Sequence, residues 1–186
     1  LQVLTRHLAA SLAIDTTRVY LMGYSQGGSL AHLYGCRSTM PVAGIGAVAS
    51  LVYRAVQRDC APSGNFPVTI VHGTLDPLAY YGGYGIEAPL LSVPEAVDMW
   101  VDQFSCNPEP SVTELPDTAS DFTRVTAFRF DGCDPGSSVL HYRVFQGGHN
   151  WPGDTGPWPS LLGLHSRDLS TTREIIRFWA EVEGGG

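Results

Sequence analysis

Leucine recurs at Leu1, Leu4, Leu8 and Leu12, three to four residues apart, so the first dozen positions carry one apolar stripe and predict a helix. The apolar run 18–22 then predicts a strand, and the residues from Gln26 to about Arg37 predict a second helix. Small residues fill 42–49, which suits a strand buried on both faces, and 67–72 reads as another. Ser92-Val-Pro-Glu95 combines a capping hydroxyl, a proline in the first turn and a glutamate three residues on. It predicts the start of a helix that carries Ala96, Val97, Trp100, Val101 and Phe104 inward. Residues 107–121, rich in Pro, Ser, Thr and Asp, predict a surface connection. The strand-like runs 124–130 and 139–146 flank a turn sequence at 131–136 and predict a hairpin. Thr171 and Glu174 match a second capping box, opening a last helix with Ile175, Ile176, Phe178 and Trp179 toward the core. Strands alternating with helices predict an α/β fold: a mostly parallel sheet with helices on both faces and active groups at the carboxyl ends of strands.

A chain of 186 residues is long enough for one substantial core, and a single domain over 1–186 is expected. With 11 basic against 18 acidic residues and a net charge of −7, it lacks the basic footprint of a nucleic-acid or anionic-membrane binder. No apolar stretch approaches the ~20 residues of a membrane span. A small neutral or apolar substrate fits this balance better. The four cysteines, Cys36, Cys60, Cys106 and Cys133, lack the C-x-x-C spacing of a zinc site, and neither a metal nor a cofactor is expected. An even count in a lysine-free chain is compatible with two disulfides and an extracellular setting; order alone leaves all three pairings open, and four reduced core thiols are the alternative.

The most specific feature is Gly23-Tyr24-Ser25-Gln26-Gly27, between the predicted strand and the helix that follows it. Serine on so sharp a turn projects clear of the sheet, and side chains at the two glycine positions would collide across it. Ser25 is therefore the candidate nucleophile, and the Gln26 N–H, at the positive end of the helix, the candidate oxyanion donor. The competing reading is a tight glycine turn with no chemistry. A serine hydroxyl needs an imidazole to take its proton and a carboxylate to orient that imidazole. Asp76, in His72-Gly-Thr-Leu-Asp-Pro77, and His149, in Gln146-Gly-Gly-His-Asn-Trp-Pro-Gly153, each follow a predicted strand. His72 is better suited to a structural hydrogen bond beneath the site than to the role of base. His7, His32, His141 and His165 fall on helices, a strand or a loop and read as core or surface residues.

The segments G-Y-S-Q-G-G, H-G-T-L-D-P-L-x-Y-Y-G-G and G-G-H-N-W-P-G resemble the secreted polyhydroxybutyrate depolymerase, feruloyl esterase and acetylxylan esterase group of α/β-hydrolases, and the likeness runs through nearly the whole chain. It implies a serine esterase with Ser25, Asp76 and His149 as triad, acting on a possibly polymeric ester, with Asn150 where the group usually has threonine. It also implies pairing of Cys106 with Cys133, which leaves Cys36 with Cys60. Tyr24, Tyr80 and Trp151, with Tyr81 and Trp158, are candidates for the walls of the binding cleft. A peptidase on the same fold and a non-catalytic binding module are the alternatives. The group's members begin with further strands, including a loop that donates a second oxyanion hydrogen bond. The chain is thus expected to lack N-terminal strands, which would leave 18–22 at a sheet edge.

Overall fold

A computed structural model of the protein describes residues 1–84 and 89–184. Its elements run α1 (Gln2–Ser11), β1 (Tyr20–Tyr24), α2 (Gln26–Arg37), β2 (Gly44–Val48), α3 (Arg54–Arg58), β3 (Pro67–Gly73), α4 (Val93–Gln103), β4 (Ser111–Glu114), β5 (Arg124–Phe130), β6 (Ser138–Phe145) and α5 (Thr171–Gly184). Six strands form one sheet in the order β1-β2-β3-β6-β5-β4. The first four of these neighbours pair in parallel, while β5 and β4 continue the sheet antiparallel. This is an α/β architecture of the α/β-hydrolase type.

Period-two alternation divides the core. On β3, Val68 and Ile70 face the cluster that holds Ala31 of α2 and Val97, Trp100 and Val101 of α4. Val71 points the other way, into a cluster with Val48, Val144 and Ile175, Phe178 and Trp179 of α5. Between α2 and α4, fully buried Trp100 donates its indole N–H to Nδ1 of His32 at 2.9 Å. Burying that donor and acceptor together satisfies both. The helix α4 starts on the expected capping box: Glu95 N–H donates to Ser92 Oγ, and the Glu95 carboxylate accepts from Ser92 N–H. Disulfides join Cys36 to Cys60 and Cys106 to Cys133. Each closes a loop long enough for a stabilisation of about 2–4 kcal/mol.

Four elements differ from expectation. Residues 111–114, read as connection, form β4, an exposed edge strand held by pairing to β5; four exposed residues leave no burial pattern to read. The one-turn helix α3 is too short for a helical period. At the start of α5 the box does not form, because Thr171 sits inside the helix: Glu174 N–H donates to Ser170 O, and the Glu174 carboxylate turns to Tyr142 and Arg177. Ile176, expected inward, is exposed, since Ile175, Phe178 and Trp179 already complete the stripe. The leucines of α1 form the expected helix, but none of its residues is buried among the described residues.

On its outer side β1 pairs with no strand among the described residues. Its sequence, Tyr-Leu-Met-Gly-Tyr, holds none of the charges, prolines or bulges that protect an edge. The 186-residue chain is therefore expected to self-associate. Light scattering across a dilution series checks this, and a monomer at every concentration would show that the edge is shielded.

Candidate active site

Three loops at the carboxyl ends of parallel strands converge on one point. β1 ends at Tyr24, and Ser25 takes φ 54° and ψ −122° before the chain turns into α2. Such a positive φ is rare for a residue with a side chain, and strain of this kind persists only where surroundings enforce it. Here Ser25 N–H donates to Val48 O at 2.9 Å, while Gly28 and Ser29 N–H fold back on Ser25 O. The turn closes because Gly23 has no side chain: a Cβ there would lie 2.2 Å from the Gly27 carbonyl carbon.

Asp76 follows β3 and His149 follows β6, two strands in direct register. Their loops interlock, with Leu75 N–H donating to Gly147 O. Gly73 makes room for this, since a Cβ would stand 2.2 Å from the Gly147 carbonyl oxygen. His149 Nε2 lies 3.0 Å from Ser25 Oγ, and its Nδ1 lies 2.7 Å from Asp76 Oδ2. Leu78 and Ala79 N–H donate to the other carboxylate oxygen at 2.8 and 2.7 Å. Burial pushes the Asp76 carboxyl up, but hydrogen bonds from His149, His72 and the Ala79 N–H outweigh it and hold the group well below the usual carboxylate range. Asp76 is therefore ionised and can only accept. Nδ1 of His149 must carry the proton, which leaves the Nε2 lone pair facing the Ser25 hydroxyl.

Ser25 O takes up the Gly28 and Ser29 N–H groups, which leaves Gln26 and Gly27 as the first-turn N–H groups of α2 without an intrahelical acceptor. Beside Ser25 lies a cleft of about 280 Å³, bounded by Leu51, Tyr53, Leu78, Tyr84 and Leu90. The aromatic residues singled out from the sequence lie elsewhere. Tyr24 donates its hydroxyl to His149 O at 3.0 Å, and its ring packs at 5.1 Å from the His149 ring and edge-on to Trp158. It braces the histidine loop. Trp151 donates to Thr172 and packs on the α5 side of the sheet. Half-exposed Tyr80 rests on the Tyr84 ring outside the lining, and Tyr81 is bonded to His141. Of the residues that do line the cleft, Leu78 belongs to the segment that carries Asp76, whereas Leu51, Tyr53, Tyr84 and Leu90 come from segments without a motif. One signal was available: 49–53 follows the end of β2, and loops at strand carboxyl ends in such sheets form sites. Of the remaining histidines, His32 and His141 are buried in the core, and His165 is bonded to Trp151 O. Among the described residues no cluster of three or more His, Cys, Asp or Glu could hold a metal ion, and no helix is long and apolar enough to cross a membrane.

No family model matches the chain. Over 184 residues, 92% of this chain, it is 26% identical to the protein described as "Putative esterase NocK" of Nocardia uniformis subsp. tsuyamanensis. That match takes in 53% of NocK, so the chain spans about half the length of the curated relative it matches. The crystal structure of esterase PE8 overlaps 55% of this chain and 45% of its own, at 25% identity and a TM-score of 0.42.

Proposed function

We propose that the chain is a catalytic part of a serine esterase, with Ser25, His149 and Asp76 as its triad. One observation carries the reading: an unbroken line of hydrogen bonds from Ser25 Oγ through His149 to an ionised Asp76. The similarity to NocK supports an ester substrate. In this mechanism Ser25 Oγ attacks the ester carbonyl as His149 Nε2 takes its proton. Asp76 stabilises the imidazolium, and the Gln26 N–H donates to the oxyanion. His149 then returns the proton to the leaving alcohol, and water attacks the acyl-serine by the same proton route. The substrate class we favour is that of the resembled group: polyhydroxyalkanoate, feruloyl or acetyl esters, met outside the cell. The two disulfides and the acidic, lysine-free surface are compatible with that setting.

Paired substrates test the reaction class. A short-chain nitrophenyl ester and the anilide of the same acyl group share the acyl pocket and differ in the leaving group. Turnover of the ester with little of the anilide is expected. Comparable anilide cleavage would make the protein a peptidase, and turnover of neither, with no labelling of Ser25 by a fluorophosphonate, a non-catalytic module.

A further inference from the structure

On the reading of Ser25, Asp76 and His149 as a triad, we propose that His72 is a positioning residue that fixes the Asp76 carboxylate and, through it, His149. His72 lies near the end of β3, almost wholly buried, and does not line the cleft. Its Nε2 stands 2.7 Å from Ala79 O and 3.4 Å from Asp76 Oδ2. A carbonyl oxygen only accepts, so Nε2 carries the proton and Nδ1 the lone pair. That lone pair is buried with no partner among the described residues. An unpaired buried acceptor is unfavourable, and a leucine would fill the space without it. What offsets the cost is the Nε2–H, which holds Ala79 O on the turn that carries the carboxylate and stands near Asp76 Oδ2.

That turn is tied at several points. Asp76 Oδ1 takes the Leu78 and Ala79 N–H groups, and His72 holds Ala79 O. Tyr81 packs edge-on against His72 at 6.0 Å and bonds His141 Nε2 at 2.9 Å, while His141 Nδ1 meets Ile70 O. The titratable groups facing His72 are thus Asp76, Tyr81 and His141; those facing His149 are Asp76, Ser25 and Tyr24. The His72 Nε2–H is taken by Ala79 O and stands 3.4 Å from Asp76 Oδ2, the oxygen that His149 Nδ1–H meets, so its positive end draws charge away from the His149 bond. Removing it has two effects. The freed turn misplaces the carboxylate, which lowers the rate. The carboxylate also pulls harder on the imidazolium, which moves the acidic limb of the pH–rate profile to higher pH.

His72→Leu and His72→Gln separate positioning from mere packing, because a glutamine amide can reach where the imidazole Nε2 stands. With the short-chain nitrophenyl ester, His72→Leu is expected to lower kcat roughly tenfold to a hundredfold, the range of a hydrogen bond to a charged group, at unchanged KM and with the limb displaced upward. His72→Gln should restore kcat to within a few-fold. The far-downfield proton NMR resonance of His149 Nδ1–H needs no turnover: it should move or broaden in His72→Leu and return in His72→Gln. An unmoved resonance in His72→Leu, or equal losses in both variants that follow only the melting temperature, overturns the proposal. A wild-type protein that turns over no ester would sink the esterase reading, while the resonance would still decide the role of His72.

Discussion

Ser25→Ala is expected to lower kcat on the nitrophenyl ester by on the order of 10⁶-fold and to abolish labelling by a fluorophosphonate probe. The size follows from how the three groups work. Among the described residues the Nε2 lone pair of His149 has one hydroxyl within reach, at 3.0 Å, and without it the imidazole has no side-chain proton to take. Water could still be activated, but it would not be held at the turn where, in the proposed mechanism, the Gln26 N–H meets the developing charge. Residues acting as a unit do not add, so Ser25→Ala with His149→Ala should be scarcely worse than either alone. Asp76→Asn is expected to cost less, about 10⁴-fold, because the amide spares the geometry and reverses the tautomer of His149. Labelling that persists in Ser25→Ala would remove Ser25 from the mechanism, and losses that multiply across the double variant would mean that the residues act separately.

The residues of this line were legible in the sequence because each depends on a local rule. The glycine ahead of the serine is a backbone requirement, although Gly27, expected to be one too, is not, since a Cβ there meets nothing within 4 Å; Asp76 and His149 directly follow runs that read as buried strands. What brings Asp76 to His149 is the parallel register of β3 on β6, a pairing between residues some 70 positions apart that no local pattern encodes, and Ser25 reaches them through the pairing of β1 on β2 and β2 on β3. The cleft was hidden for the same reason. Tyr53 and Leu90 meet in an isolated bridge between two irregular segments, and neither stands out from its neighbours in the sequence. Tyr24, a candidate for the cleft wall, instead directs its hydroxyl to the His149 carbonyl.

Between pH 6.5 and 4 the protein is expected to lose much of its stability, whatever its catalytic state. Burial alone drives the His32 imidazole down to about 4, and burial foremost does the same for His141, against 6.5 for a free histidine. Above pH 6.5 both are neutral in the folded and unfolded chain, so stability there is independent of them. Below 6.5 the unfolded chain takes up two protons that the folded chain refuses, and the balance shifts toward unfolding until the pH reaches about 4. Each site then costs about 3 kcal/mol, against a total of about 5–15 kcal/mol for a typical domain. Asp76, displaced in the acid direction, adds its own loss only at still lower pH, as its carboxylate is protonated. Urea midpoints measured from pH 7 to 4.5 should fall steadily. His32→Asn offers an acceptor to the Trp100 indole but cannot titrate, so it should remove about half of the slope. Midpoints flat across this range would mean that the two imidazoles gain water or a counter-charge before the fold yields. A steady fall would require every rate measured below pH 6.5 to be corrected for the folded fraction before the acidic limb of the triad is read from it.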